Sequence, residues 1–134
     1  MPGQYMVDYE ERVDFGRLRR ERLQKARAAL EAQGIDVLIA FDPNNIRYIT
    51  GTFGNPSPTL AAARYCLLAK NHEPILFELG GDLERQKVCA PWLNGRIRPS
   101  VPLTFLPRTL TGEWAKLIRG VLKELEIKTD RIAL

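Results

Sequence analysis

The sequence predicts an α/β domain, a mixed β-sheet flanked by helices. Three observations carry that expectation. Val37-Leu38-Ile39-Ala40-Phe41 is an unbroken apolar run, too short for a helix and suited to a strand covered on both faces. Tyr65-Cys66-Leu67-Leu68-Ala69 and Ile75-Leu76-Phe77 are two further apolar runs, and Lys70-Asn71-His72-Glu73 joins them at hairpin length. Trp114, Leu117, Ile118, Val121, Leu122 and Leu125 recur at helical spacing and form the strongest amphipathic stripe in the chain.

Each element has its own local signals. Residues 1–13 are polar and aromatic without a period and read as an N-terminal arm. Asp14 is placed to cap a helix and Gly34 to end it in a left-handed turn. Between them Phe15, Leu18, Leu23, Ala26, Ala29 and Leu30 fall on one stripe. Arg19 and Arg22 share it, so their stems can cover apolar surface while their heads reach water or a partner. After the strand 37–41, which belongs near the centre of the sheet, Asp42-Pro43-Asn44-Asn45 has helix-start chemistry. A short helix through Ile46, Arg47, Tyr48 and Ile49 should end at Gly51, and Gly54-Asn55-Pro56-Ser57-Pro58 should be loop with an exposed tip. Beyond the hairpin, Gly80-Gly81-Asp82 opens a helix that runs to about Ala90, because Pro91 stops it. Ile97 suits a short strand. Residues 99–110 carry Pro99, Pro102 and Pro107 and are expected to be extended, with Thr111 capping the last helix. Arg131-Ile132-Ala133-Leu134 reads as the start of a strand, and its abrupt end reads as a cut through a longer protein.

At 134 residues this is one domain, residues 14–134, behind the arm 1–13. It is 45% hydrophobic and 27% charged, as expected of a soluble globular domain, and no apolar run approaches the roughly 18–20 residues of a membrane span. Met1-Pro2-Gly3-Gln4-Tyr5 has no export pattern, so a cytoplasmic protein is expected, with Cys66 and Cys89 as reduced, buried thiols. The net charge of +4 is mild. Arg17, Arg19, Arg20, Arg22, Lys25 and Arg27 lie on all sides of their helix, and aromatic residues do not interleave with them apart from Phe15, which argues against a nucleic-acid partner.

Few residues have the chemistry of a site. His72 stands alone in a turn beside Glu73, without the converging ligands a metal needs. Asp8, Glu10, Glu11 and Asp14 suit a solvated arm, and Asp42 a turn cap. The segment Gly51–Arg64 is the candidate, because loops on a rigid scaffold commonly carry specificity. Within and beside it, Tyr48, Phe53 and Arg64 are the candidate site residues. Arg64 has the planar fork that pairs with a carboxylate. The bland alternative makes Tyr48 core and Arg64 a surface ion pair.

Leu30-Glu31-Ala32-Gln33-Gly34-Ile35-Asp36, the strand 37–41, Asn44-Asn45-Ile46-Arg47-Tyr48-Ile49-Thr50-Gly51, and Arg64-Tyr65 leading a hairpin occur in an order that resembles the N-terminal domain of the creatinase, prolidase and aminopeptidase P family. Asn45 through Gly51 matches the family's Asn-x-x-Tyr-x-(Thr/Ser)-Gly pattern. The resemblance implies a ribonuclease-H-like fold without ribonuclease chemistry. It also implies a following "pita-bread" catalytic domain that holds two divalent metal ions through two Asp, one His and two Glu, none of which can be matched here. No catalytic residue, metal or cofactor is therefore expected in this chain. The implied partners are its own C-terminal catalytic domain, a second copy in a homodimer, and the small-molecule or dipeptide substrate of the parent hydrolase, with the loop after Gly51 approaching an active site. Met6-Val7-Asp8-Tyr9 with Arg12-Val13-Asp14-Phe15 is also similar to members that cleave dimethylsulfoniopropionate. An accessory domain of such a lyase and a free-standing α/β ligand-binding module are the alternatives.

Overall fold

The structure is a computed structural model and describes residues 12–54, 63–101 and 108–134, with the side chains of 108–110 excepted. Its elements run α1 (Phe15–Ala32), β1 (Val37–Ala40), α2 (Pro43–Thr50), β2 (Tyr65–Ala69), β3 (Ile75–Glu78), α3 (Gly80–Cys89), a single 3-10 turn (Pro91–Leu93), β4 (Ile97–Pro99), α4 (Arg108–Glu124) and β5 (Ile132–Ala133). The strands form one sheet in the order β4-β3-β2-β1-β5. β1 and β3 pair antiparallel with β2, while β5 runs parallel to β1 and β4 parallel to β3, so the sheet is mixed.

The unbroken apolar runs have a direct cause. Side chains alternate across a strand, and both faces of this sheet are covered. Val37, Ile39, Tyr65, Leu67, Ala69, Ile75 and Phe77 pack with Ile118, Val121 and Leu122 of α4. Ala40, Cys66, Leu68 and Leu76 face the other way, against Leu30 of α1, Ile46 and Ile49 of α2, and Leu93 and Ile97. The strand 37–40 lies inside the sheet, and β2 occupies its centre.

Caps and turns close the elements. Asp14 accepts a hydrogen bond from the Arg17 amide at 2.8 Å and caps α1. Asp42 accepts from the Asn44 and Asn45 amides and caps α2. Gly34, at φ +64°, ends α1 with the Ile35 amide donating back to the Leu30 carbonyl and the Gly34 amide to that of Glu31, a Schellman motif. Asp36 ties β5 to β1. Its carboxylate accepts from the Asp130 amide at 3.0 Å, the Arg131 amide at 3.1 Å and Lys70 Nζ at 3.0 Å. These partners, the Asp130 amide foremost, hold its pKa down at about 2.

Three local expectations change. Helix α4 starts at Arg108, so Thr111 lies inside it instead of capping it, and 108–110 are not extended. A proline bars a helix interior but not its start, so Pro107 does not exclude a helix immediately after it. Ala29 is exposed despite its place in the pattern, because the cover of α1 is narrower than the stripe. His72 is half-buried: its Nε2 lies 3.2 Å from the Leu125 carbonyl, and its own carbonyl accepts from Arg27 Nη2 at 2.6 Å. The hairpin turn therefore docks against both α1 and the end of α4. Cys66 and Cys89 are free, buried thiols. Among the described residues no helix is long and apolar enough to cross a membrane. The arm 1–11 and the loop tip 55–62 lie outside the described residues.

Candidate functional site

The candidate loop begins where α2 ends. Gly51 takes φ +72°, and its amide donates to the Arg47 carbonyl at 2.8 Å. Only glycine adopts this conformation without strain, and a Cβ here would also stand 2.6 Å from Arg19 Cδ. The chain then passes through Thr52, Phe53 and Gly54, and is described again from Ala63 and Arg64, which lead into β2.

The root of this loop is held from several sides. Trp92 Nε1 donates to the Thr50 carbonyl at 2.8 Å, and Gln86 Nε2 of α3 donates to the Phe53 carbonyl at 2.7 Å. Thr50 Oγ1 donates to the Ile46 carbonyl at 2.7 Å and sits 2.6 Å from Thr52 Oγ1. A carbonyl can only accept, so the Thr50 hydroxyl spends its proton there and Thr52 must donate to Thr50. Thr52 Oγ1 in turn accepts from Arg64 Nη2, and Arg64 Nε meets Glu78 Oε2 at 2.6 Å. The donors thus run in one direction, from the Arg64 guanidinium through two hydroxyls to the α2 backbone.

Arg64 and Glu78 are a buried ion pair, with side chains 10% and 3% exposed. Arg64 is accordingly not a surface residue, and its fork is turned into the fold. Gly54 leaves the space the pair needs: a Cβ there would fall 2.4 Å from Arg64 Nε. The pairing had a legible signal. Tyr65 sits opposite Phe77 in the antiparallel ladder, which sets Arg64 and Glu78 at facing ends of the two strands. Thr50, Thr52, Gln86 and Trp92 had no such signal, since only the packing of α3 and the 3-10 turn against α2 brings them together.

The aromatic candidates face out. Tyr48 is 38% and Phe53 47% exposed, so Tyr48 is not core. The Arg22 guanidinium lies over the Tyr48 ring at 5.4 Å and that of Arg47 over the Phe53 ring at 5.5 Å. Such cation–π contacts contribute about 0.5–1 kcal/mol each at exposed positions. Each exposed ring thus has an arginine beside it, and the backbone at Thr50 and Phe53 is tied down from beneath, so either ring can meet an apolar group that carries negative charge. Among the described residues no three His, Cys, Asp or Glu side chains converge to hold a metal ion. Asp42 and Asp14 are both engaged as helix caps.

The family model described as the creatinase/prolidase N-terminal domain matches residues 22–133. No curated protein sequence matches the chain. Among solved structures, an Xaa-Pro aminopeptidase from Streptococcus pyogenes superposes with TM-score 0.57 and 18% identity, over 84% of this chain and 70% of that one. An Xaa-Pro dipeptidase from Bacillus anthracis gives TM-score 0.53 and 19% identity, over 76% of this chain and 24% of that one. A proline dipeptidase from Streptococcus pneumoniae gives 24% identity and TM-score 0.47 over 58% of this chain, and the aligned part spans about half, 53%, of that chain. At these identities the first two superpositions establish the fold.

Proposed function

Because the chain belongs to the creatinase/prolidase N-terminal domain family, we propose that it is the non-catalytic N-terminal domain of a prolidase- or aminopeptidase P-type hydrolase. It works beside a separate catalytic domain and contributes to dimer assembly and to substrate access. In this reading the divalent metal ions belong to that catalytic domain. The described residues of this chain offer no ligand cluster for them.

The observation that carries the reading is the pairing of exposed Tyr48 and Phe53 with a rigid loop root. A surface ring on a mobile loop loses ordering entropy whenever it binds, and one on a fixed backbone loses less. Tyr48 and Phe53 form an apolar wall toward a neighbouring catalytic pocket, and Arg47 and Arg22 supply charge beside them. Arg64 serves the same surface from below, by fixing the loop through Thr52.

The test is steady-state cleavage of an Xaa-Pro dipeptide at fixed metal loading by the enzyme that carries this domain, with Tyr48 and Phe53 each changed to Ser and then both together. Burying such a ring contributes about 1.5–3 kcal/mol, so kcat/KM of the double variant should fall by roughly tenfold or more. Sedimentation velocity on the same proteins reads assembly. If kcat/KM and sedimentation both stay at their unsubstituted values, the surface has no part in access or assembly.

A further inference from the structure

Beside Trp92 lies a cleft of about 210 Å³, between the first turns of α1, the end of α2 and the 3-10 turn. Its lining divides by chemistry. Leu23, Ile49 and Leu93 supply its apolar part, Trp92 an aromatic wall, and Arg20 and Arg96 are its basic residues. Arg19 also lines it, stacked on the Trp92 ring with its guanidinium carbon 3.8 Å from the centroid. Among the described residues of the lining the acidic one, Glu73, is already engaged with Arg27 at 3.0 Å.

Two facts point to an anionic ligand. Among the described residues no carboxylate pairs with Arg20 or Arg96. Arg96 Nη2 donates to the Trp92 carbonyl at 3.0 Å, yet its Nε is buried and meets no acceptor. A buried donor left unmade costs about 1–3 kcal/mol, more when it is charged. Arg20 and Arg96 line one cleft, and an anion there supplies acceptors that the described carboxylates do not.

We propose that this cleft binds a small organic carboxylate with an apolar body, its carboxylate between Arg20 and Arg96 and its hydrocarbon against Trp92 and the apolar part of the lining. The planar fork of arginine matches a carboxylate with two parallel hydrogen bonds. The apolar part distinguishes this occupant from inorganic phosphate, which would leave half the lining without a partner. The volume is below the roughly 300–1,000 Å³ of sites for drug-sized ligands, so the occupant is one short acid or one chain terminus. Free acids and the C-terminal carboxylates of short apolar peptides share this chemistry. The cleft meets the root of the candidate loop at Thr50 and Trp92, but neither Tyr48 nor Phe53 lines it, and its occupancy does not depend on their role.

The test uses the two tryptophan indole signals of the chain in a proton–nitrogen correlation spectrum. Trp92 lines the cleft, whereas Trp114 packs on the opposite face of the sheet and is an internal control. The probes are 3-phenylpropionate and N-acetyl-glycyl-leucine, each with its neutral amide, and inorganic phosphate. The expected result is a saturable shift of the Trp92 indole, with Trp114 unmoved, for at least one carboxylate. Its amide should bind roughly tenfold more weakly, as for loss of one charge-assisted contact. Response to the free acid alone, or to the peptide alone, identifies which source the site takes. Arg20→Gln changes an exposed residue, so it should leave the rest of the spectrum intact and weaken binding to a similar degree. The proposal is overturned if Trp92 does not respond to either acid, if acid and amide bind alike, or if phosphate binds as well as the carboxylates.

Discussion

Arg64 shows how one side chain can hold a site without touching what the site recognises. Its guanidinium is buried, paired with Glu78 and bonded to Thr52. Removing one member of a buried pair strands the other, which typically costs about 3–5 kcal/mol. Arg64→Ala should therefore lower the urea-unfolding free energy by about that amount, while Phe53→Ser, which removes only an exposed cation–π contact, stays within about 1 kcal/mol of the starting protein. A loss below about 1 kcal/mol for Arg64→Ala would mean that water replaces the pair and that the loop root is not closed. Asp36 gives a residue-scale prediction in pH. Its backbone amide partners and Lys70 hold its pKa near 2, below the usual 3.8. The folded state thus favours the carboxylate, and its contribution is complete above about pH 4 and lost as pH falls toward 2. Asp36→Asn should remove the part of the acid destabilisation that falls in this window. Identical acid-unfolding curves for the two proteins would show that Asp36 contributes nothing to holding β5.

The helix ends carry the clearest case at the scale of elements. Both α1 and α4 finish in the same hydrogen-bonded motif. After α1 the left-handed position is Gly34, at φ +64°, but after α4 it is Glu126, at φ +53°. There the Ile127 amide donates to the Leu122 carbonyl and the Glu126 amide to that of Lys123. A side chain in this conformation costs about 1–2 kcal/mol, partly offset by the greater freedom a glycine gives the unfolded chain. Glu126→Gly is expected to stabilise the domain by about 0.5–1 kcal/mol, measured as a shift of the urea midpoint with an unchanged slope. A destabilised variant would show that the Glu126 side chain has a role at that turn. This contrast also explains why α4 was harder to bound than α1. Asp14 and Gly34 announce both ends of α1, whereas α4 ends on a residue with no turn signal and begins immediately after a proline that reads as a breaker.

At the scale of the molecule, the sheet divides the domain into two cores, and Cys66 lies in its central strand, fully buried. Burial pushes its thiol pKa up to about 12, so little thiolate exists near neutrality and alkylation must wait for exposure. Cys89 ends α3 at the edge of the core and is 9% exposed. In alkylation at pH 8, Cys89 should react first through local opening, and Cys66 only at the rate set by global unfolding. Equal rates would show that Cys89 does not open apart from the sheet. The sequence by itself determined the element order, the caps at Asp14 and Asp42, the left-handed glycine at 34, the helix end at Gly51, and the burial of strands on both faces. Each of these depends on residues within one turn or one strand period of each other. The tertiary structure decided what those signals could not reach. It turned Arg64 inward onto Glu78 and left Tyr48 and Phe53 exposed, although local pattern allowed the reverse. It also gathered Thr50, Gln86 and Trp92 under one loop, and Arg20 and Arg96 around one cleft. The physical reason is that hydrogen bonds and ion pairs between separate elements depend on how helices settle on the sheet, and that placement is set by the two cores together rather than by any segment alone.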